Sequence, residues 1–515
     1  MLTMKHCTTA LFAFLFTLGA TTTAQPGSLD ATFGTGGKVT TDFGSLSDRG
    51  YAVAIQPDGK IVVAGESNNG SDRDLAIARY DPDGTLDNTF GTEGKVTTDF
   101  AGADDYGWSV AIQPDGKIVV AGNTGSLLAF DFAVVRYNAD GTLDNSFGTD
   151  GKVTTNLGAG ENYGQSVAIQ PNGKIVVAGA SGSGPNYDFA LARYNADGTL
   201  DNGFGTDGKV TTDFGTGPDF GKGVAIQPDG KIVVAGESIN DFALARCNTD
   251  GTLDNSFGAN GLVTTDFGST IDHGQAIAIQ PDGKIVVAGE SNFDFAVARY
   301  NTDGTLDNSF GLDGKVATDF GSDYDRGWSV AIQLDGKIIV AGYMLNGPDH
   351  DFALARYNTD GTLDISFSAD GKVTTAIGTS DDYGRSVAIQ PDGKIVLAGL
   401  TGSDTGTGSD LALARYLSGL NVGVIEFSLT NNAPLIYPNP IDKPATLAYT
   451  LQHAETISIH LLDMQGKTVG TFVEGEEQAA GEHQLSIDLP VALPSGTYLI
   501  AISSPKGKLT VQVVK

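Results

Sequence analysis

At 515 residues the chain has room for two to four domains, and 18% charged with 40% hydrophobic residues excludes a disordered polymer. Two Cys exclude a disulfide scaffold and a Cys-built zinc site. Acidic residues number 62 against 31 basic ones, a net charge of −31, and a surface that acidic excludes nucleic acid and anionic membranes as partners. Glycine, at 70 residues, is twice the usual ~7% share; so many turn formers imply many short strands.

Residues 1–24 read as an export signal. Lys5 and His6 form a basic start, Ala10 to Ala20 an apolar run, and Thr22, Thr23 and Ala24 offer small residues for cleavage before Gln25. The alternative is a buried N-terminal strand. The apolar run is too short to span a bilayer and no other stretch approaches that length, so an integral membrane protein is not expected. Cys7 precedes the apolar run and is not placed as a lipid acceptor. Cys247, left unpaired, is expected as a small apolar residue within a strand.

Internal repetition dominates residues 25–416. The segment from Val53 to Gly65 occurs seven times, with its Gln at 56, 113, 170, 227, 280, 333 and 390. Four of the six spacings are 57 and two are 53, and the shortened copies lose residues between the Ala-Gly and the next Asp-Phe. Each period predicts four strands, taken from the second copy: strand a over Ser109 to Gln113, a Pro114-Asp115-Gly116 turn, strand b over Lys117 to Ala121, strand c over Asp131 to Tyr137, and strand d over Lys152 to Thr155. An all-β, seven-bladed propeller of four-stranded blades follows. A strand-d copy, Lys38 to Thr41, precedes the first strand a, and the last copy ends after strand c at Tyr416, so the N-terminal strand is expected to close the last blade. The rival is a linear β-solenoid.

The unit DFALARYNTDGTLDNSFG…GKVTTDFG…VAIQPDGKIVVAG resembles the delta-60 repeat family of secreted bacterial propeller-like proteins, over about residues 28–416. The resemblance implies a fold and an extracellular destination, and no catalytic motif.

Residues 417–433 read as a linker, and 434–515 as a second, small β-sandwich with strands at 447–451, 457–462, 468–473, 483–488, 497–502 and 509–514. Its landmarks are Tyr437-Pro438-Asn439-Pro440, Leu462 to Lys467, Ser495 to Tyr498 and the terminal Val513-Val514-Lys515. They resemble the C-terminal sorting domain of type IX secretion. That resemblance implies the type IX machinery as partner and release outside the cell or attachment to the outer-membrane surface. A carbohydrate-binding or spacer sandwich is the alternative.

Antiparallel blades put turns a–b and c–d on one face of a ring and connections b–c and d–a on the other. The first pair barely changes between copies and the second varies, which marks the varied face for binding. The residue after the Gly that opens strand a is Tyr51, Trp108, Gln165, Lys222, Gln275, Trp328 and Arg385, a set holding both tryptophans. The residue before that Gly also varies and includes Tyr106, His273 and Arg326. Aromatic and polar groups around a concave mouth suit a glycan or peptide; otherwise they cap strand ends.

One position further back runs Asp48, Asp105, Asn162, Asp219, Asp272, Asp325 and Asp382. These residues fit loop capping better than a cation ring, and Asp81-Pro82-Asp83-Gly84 and its kin fit tight turns better than calcium loops, because the EF-hand spacing is missing. No cofactor is expected; a calcium, if bound, would be structural. The seven repeated Arg and Lys pairs, such as Arg79 with Lys60, read as scaffold. No nucleophile elbow, P-loop or zinc motif occurs. The chain is expected to be a monomeric, secreted or surface-attached binding or adhesion module. The alternatives are an extracellular polysaccharide-active enzyme using acids at the channel mouth and a purely structural surface protein.

Overall fold

The computed structural model describes residues 25–419, apart from 45, 127–128, 159, 323 and 403–407, and most of 435–514. The export signal and most of the linker lie outside the described residues. Seven four-stranded antiparallel sheets follow one another in order, each running a-b-c-d. In the second blade the strands are Asp104–Ile112, Ile118–Ser126, Ala129–Tyr137 and Lys152–Thr155. Every strand a contacts the strands a of both neighbouring blades, which places it at the axis. The result is a closed propeller.

Strands a, b and c are longer than the sequence pattern suggests, all by growth toward the varied face. The pattern hid this because each strand a carries a β-bulge, and the extra residue breaks the period of two. In the two short repeats strands b and c meet in two-residue turns at Ile239–Asn240 (φ 46° and 66°) and Asn292–Phe293 (φ 50° and 68°). Positive φ at both positions is the type I′ geometry that matches strand twist, so the hairpin closes without the longer loop.

Closure is more than one strand. Lys38–Thr41 pairs antiparallel with Ser409–Tyr416 in the register Lys38↔Ala414 to Thr41↔Leu411. The residues before it bring Asp30 and Phe33, both buried, into the last blade. The N-terminal segment therefore supplies that blade with an entire c–d turn and strand d.

Each blade is built on one buried carboxylate. The strand-c arginines Arg79, Arg136, Arg193, Arg246, Arg299, Arg356 and Arg415 meet Asp87, Asp144, Asp201, Asp254, Asp307, Asp364 and Asp30 at 2.6–2.8 Å. Lysines of the a–b turns reach the same carboxylates at 2.6–3.3 Å. Every guanidinium lies over a Phe ring of the same turn, Phe90 in the first blade, at 4.4–4.6 Å. Its Nη1 then donates to a backbone carbonyl of the next blade's turn, from Arg79 to Ala139 through to Arg415 to Pro82. A second link joins Tyr hydroxyls of strand c to the Thr that ends strand d of the preceding blade, as in Tyr80 to Thr41 and Tyr194 to Thr155. Cys247 occupies that Tyr position in the fourth blade and is fully buried; burial pushes its thiol up to about 12, so it stays protonated and inert.

The C-terminal region forms two sheets. One holds Leu435–Tyr437, Ala445–Leu451 and Gly481–Ile487; the other holds Thr468–Gln478, Glu455–Leu462, Thr497–Ser504 and Gly507–Val514. Leu447 and Ile487 of the first pack with Ile459, Leu461, Ile500 and Val513 of the second in one core, a β-sandwich. Strand Leu435–Tyr437 adds to the six expected; the Pro438 to Pro440, Asp463 to Lys467 and Ser495–Gly496 landmarks lie outside the described residues.

Removing the carboxylate leaves a buried guanidinium with only neutral acceptors. Asp144→Ala is expected to lower stability by about 3–5 kcal/mol, measured by denaturant unfolding of the mature chain; a loss under ~1 kcal/mol would make the clamp dispensable.

Candidate functional site

At the head of strand a, Gly107 pairs with Gly122 and Ser109 with Ala121, leaving Trp108 as the extra residue of a bulge. The same slip recurs in all seven blades. The glycine partner is required: a Cβ on Gly122 would stand 1.6 Å from the Tyr106 carbonyl oxygen. A bulge re-aims its extra side chain. The extra residues are Tyr51, Trp108, Gln165, Lys222, Gln275, Trp328 and Arg385, and all seven line a single axial cavity of about 210 Å³. Below them, Ser109, Ser166, Ser329 and Ser386 accept the N–H of Val167, Val224, Val387 and Val53 in the following blade at 3.1–3.2 Å, stitching the innermost strands together.

The ring has three chemically different arcs. In the first, Trp108 stacks with Tyr51 at 4.2 Å and Tyr106 at 5.7 Å, and its Nε1 donates to Asn123 Oδ1 at 2.6 Å. Glu66, 1% exposed, faces Arg49 and Arg73 at 3.6 and 3.5 Å. Burial raises the Tyr51 hydroxyl, and the Glu66 charge adds to it, so Tyr51 stays a neutral donor. The second arc centres on His273, whose ring nitrogens face Glu290 at 3.0 Å and Glu237 at 3.4 Å; Arg326 reaches Glu290 at 2.8 Å. In the third, Arg385 lies over the Trp328 ring at 4.2 Å, with Tyr343, Tyr383 and His350 packed around it. Tyr106, His273 and Arg326 thus sit on the rim, one step nearer the varied face than the cavity lining.

Several rim residues were not singled out from the sequence. Glu66, Asn123, Glu237, Glu290 and Tyr343 share one repeat position, directly after the Ala-Gly of strand b, and they pair across strand a with the residue before its Gly. Their variation between copies was the available signal. It was spread over what read as a loop.

The recurring acids behave as architecture. Asp48, Asp105, Asp219, Asp272, Asp325 and Asp382 each accept a backbone N–H five residues upstream, Phe43 N to Asp48 for one, at 2.6–2.9 Å. Asp83 and Asp140 accept both the backbone N–H and the hydroxyl of the Thr two residues on. Among the described residues, five triplets gather three carboxylates whose nearest oxygens lie within 4.8 Å; Asp74, Asp99 and Asp105 form one. Burial, with the charges of Asp99 and Asp74, pushes Asp105 up to about 6. The equivalent third-blade site carries Asp131, Asn156 and Asn162, and both amides donate to Asp131 Oδ1 at 2.8 and 3.1 Å. Among the described residues the axial cavity is lined by no Asp or Glu.

A closed propeller with an individualised axial cavity, followed in the chain by a small β-sandwich, defines a class, that of ring-shaped repeat proteins. Seven segments, 56–90, 113–147, 170–204, 227–257, 280–310, 333–367 and 390–421, match the family described as "domain of unknown function (DUF5122) beta-propeller", and 435–515 match the secretion system C-terminal sorting domain. The chain belongs to that β-propeller family and ends in a type IX sorting domain, which directs it to the cell surface or the extracellular space. No curated protein matches it in sequence. Among solved structures it is similar to a streptogramin B lyase (11% identity, 74% of this chain, 97% of that one, TM-score 0.44) and to polysaccharide lyase Uly1 (13%, 73%, 91%, 0.43). It is also similar to a calcium-binding protein, regucalcin, from Agrobacterium tumefaciens (14%, 60%, 86%, 0.33). Among the described residues no helix is long and apolar enough to cross a membrane.

Burial lowers the His273 pKa, but the Glu290 hydrogen bond and the charges of Glu237 and Glu290 outweigh it and hold the group above its ordinary value. A raised folded pKa contributes stability that is full below the unfolded value of ~6.5 and fades as pH climbs through the folded one. His273→Gln is therefore expected to cost about 1 kcal/mol at pH 6 and much less at pH 9. Equal losses in urea titrations at both pH values would show that the pair is not ionic.

Proposed function

We propose that the propeller is a binding or adhesion module that takes a glycan or peptide at the varied face, with the axial cavity as its reading head. The observation that carries this is the convergence of seven different bulged residues, one from each blade, on one cavity, while the clamp residues of the opposite face repeat almost unchanged. Scaffold needs only the repeated set; a rim that differs at every step suits recognition of a single asymmetric ligand. The sorting domain supports an outward-facing role, either released or held at the outer surface, with the type IX machinery as its export partner. We read the ring as working as a monomer.

The lining does not favour the enzyme alternative, since a glycosidase pair needs two facing carboxylates and the cavity walls offer none among the described residues. At the rim, Glu66 and Glu290 face arginines or His273, and Asp105 and Asp325 accept loop backbone N–H groups. Binding is tested on arrays of glycans and peptides with the mature protein. Replacing Trp108 and Trp328 together with Ala is expected to weaken any hit at least tenfold, because Trp328 carries Arg385 and Trp108 orders the Tyr51 arc. Hits unchanged in the double variant, or turnover of a labelled polysaccharide, would overturn the reading.

No cofactor enters this proposal. A structural calcium would sit in the triplets, on Asp74, Asp99 and Asp105 and their counterparts, where no amide replaces a carboxylate. Millimolar calcium is then expected to raise the melting midpoint and a chelator to reverse the rise; a midpoint unmoved by both leaves the triplets to protons.

A further inference from the structure

The cavity's charge is opposite to that of the molecule around it. The chain holds 62 acidic residues, yet the walls of the axial cavity carry two charges, both positive, Lys222 and Arg385. Neither has a carboxylate within ion-pair distance among the described residues, in contrast to the rim cations Arg49, Arg73 and Arg326, each of which has one. Burial lowers the Lys222 pKa, and the more distant Glu237 charge only partly restores it. Lys222 leans on Phe220, 5.1 Å from the ring centroid, and Arg385 lies over the Trp328 ring with its Nε free of any hydrogen bond. The Nε left without a partner belongs to the edge with which a guanidinium forks onto an oxyanion.

The other groups at this depth are hydroxyls and amides: Ser109, Ser166, Ser329 and Ser386 with Gln165 and Gln275. They donate and accept, as a hydroxylated ligand needs. Tyr51 and Tyr106 already stack on Trp108, and Arg385 covers Trp328, so the tryptophans orient neighbours more than they offer open faces. Buried, unneutralised cations are costly unless a counter-charge arrives. A volume of about 210 Å³ admits one sugar-sized unit and no folded segment.

We propose that the axial cavity binds the acidic unit of a glycan, a uronate whose carboxylate sits between Lys222 and Arg385 and whose hydroxyls meet Gln165, Gln275 and the serine ring. This rests on the binding reading above and names its ligand class. An acidic peptide would satisfy the two cations but would leave the ring of hydroxyls and amides facing aliphatic carbon.

The test is calorimetric titration of the mature protein with three probes: uronate-containing oligosaccharides, their neutral hexose counterparts, and a Glu-rich peptide. Expected are binding of the uronate probe alone, weakening from 50 to 500 mM NaCl, and a loss of at least tenfold in Lys222→Gln and in Arg385→Gln. Circular dichroism and the melting midpoint verify folding; if Arg385→Gln does not fold, Lys222→Gln decides alone. Equal binding of neutral and acidic sugars, unmoved by Lys222→Gln, overturns the charge assignment and leaves the binding module standing. Peptide binding without sugar binding overturns the glycan. Failure of all three probes, together with blank arrays, overturns both.

Discussion

The structure depends on one buried carboxylate per blade. Each draws a guanidinium from its own strand c and an ammonium from its own a–b turn, and accepts local backbone or hydroxyl donors with its remaining lone pairs, as Asp87 does from Thr89. Burying ions in this way is favourable only when every lone pair and proton is satisfied. Here the surplus donor of the arginine is satisfied by the next blade, so the arrangement that stabilises one blade also fixes its neighbour. Because the last of these bonds runs from Arg415 to Pro82, and Asp30 comes from the N-terminus, the chain of clamps closes on itself.

That constraint explains why the two faces differ. The clamp needs the same Asp, Arg, Lys and Phe at the same spacing in every copy, so the face that holds it is monotonous. At the opposite ends of the strands, what recurs from blade to blade is the ladder bonds, the glycine pairs and Asp48 and its equivalents capping the loop backbone. Between those fixed points each blade is free to place any side chain at the bulge, and seven such choices meet at the axis.

Much of this was legible in the residues. Repeat number, strand order and the closing strand followed from spacing and from the stray Lys38–Thr41 copy, and the seven residues after the opening Gly stood out because they change while their flanks do not. Strand lengths were less legible. Asp104 to Gly107 looked like a loop because the bulge shifts the alternation by one residue, and a shift of one is indistinguishable from a turn when only apolar period is read. The rim acids Glu66, Glu237 and Glu290 were hidden for the same reason: without the longer strands nothing placed them opposite Arg49, His273 and Arg326.

By itself the sequence determined the number of blades, the composition of the clamp and the identity of the individualised positions, since these are local patterns that recur with the period of the fold. Only the tertiary structure decided which groups face one another. Lys222 and Arg385 lie far apart in the chain and in different blades, and what brings them to one cavity is ring closure, a property of seven sheets packed around an axis. Charge counted along the chain is an average; charge inside a cavity is set by geometry.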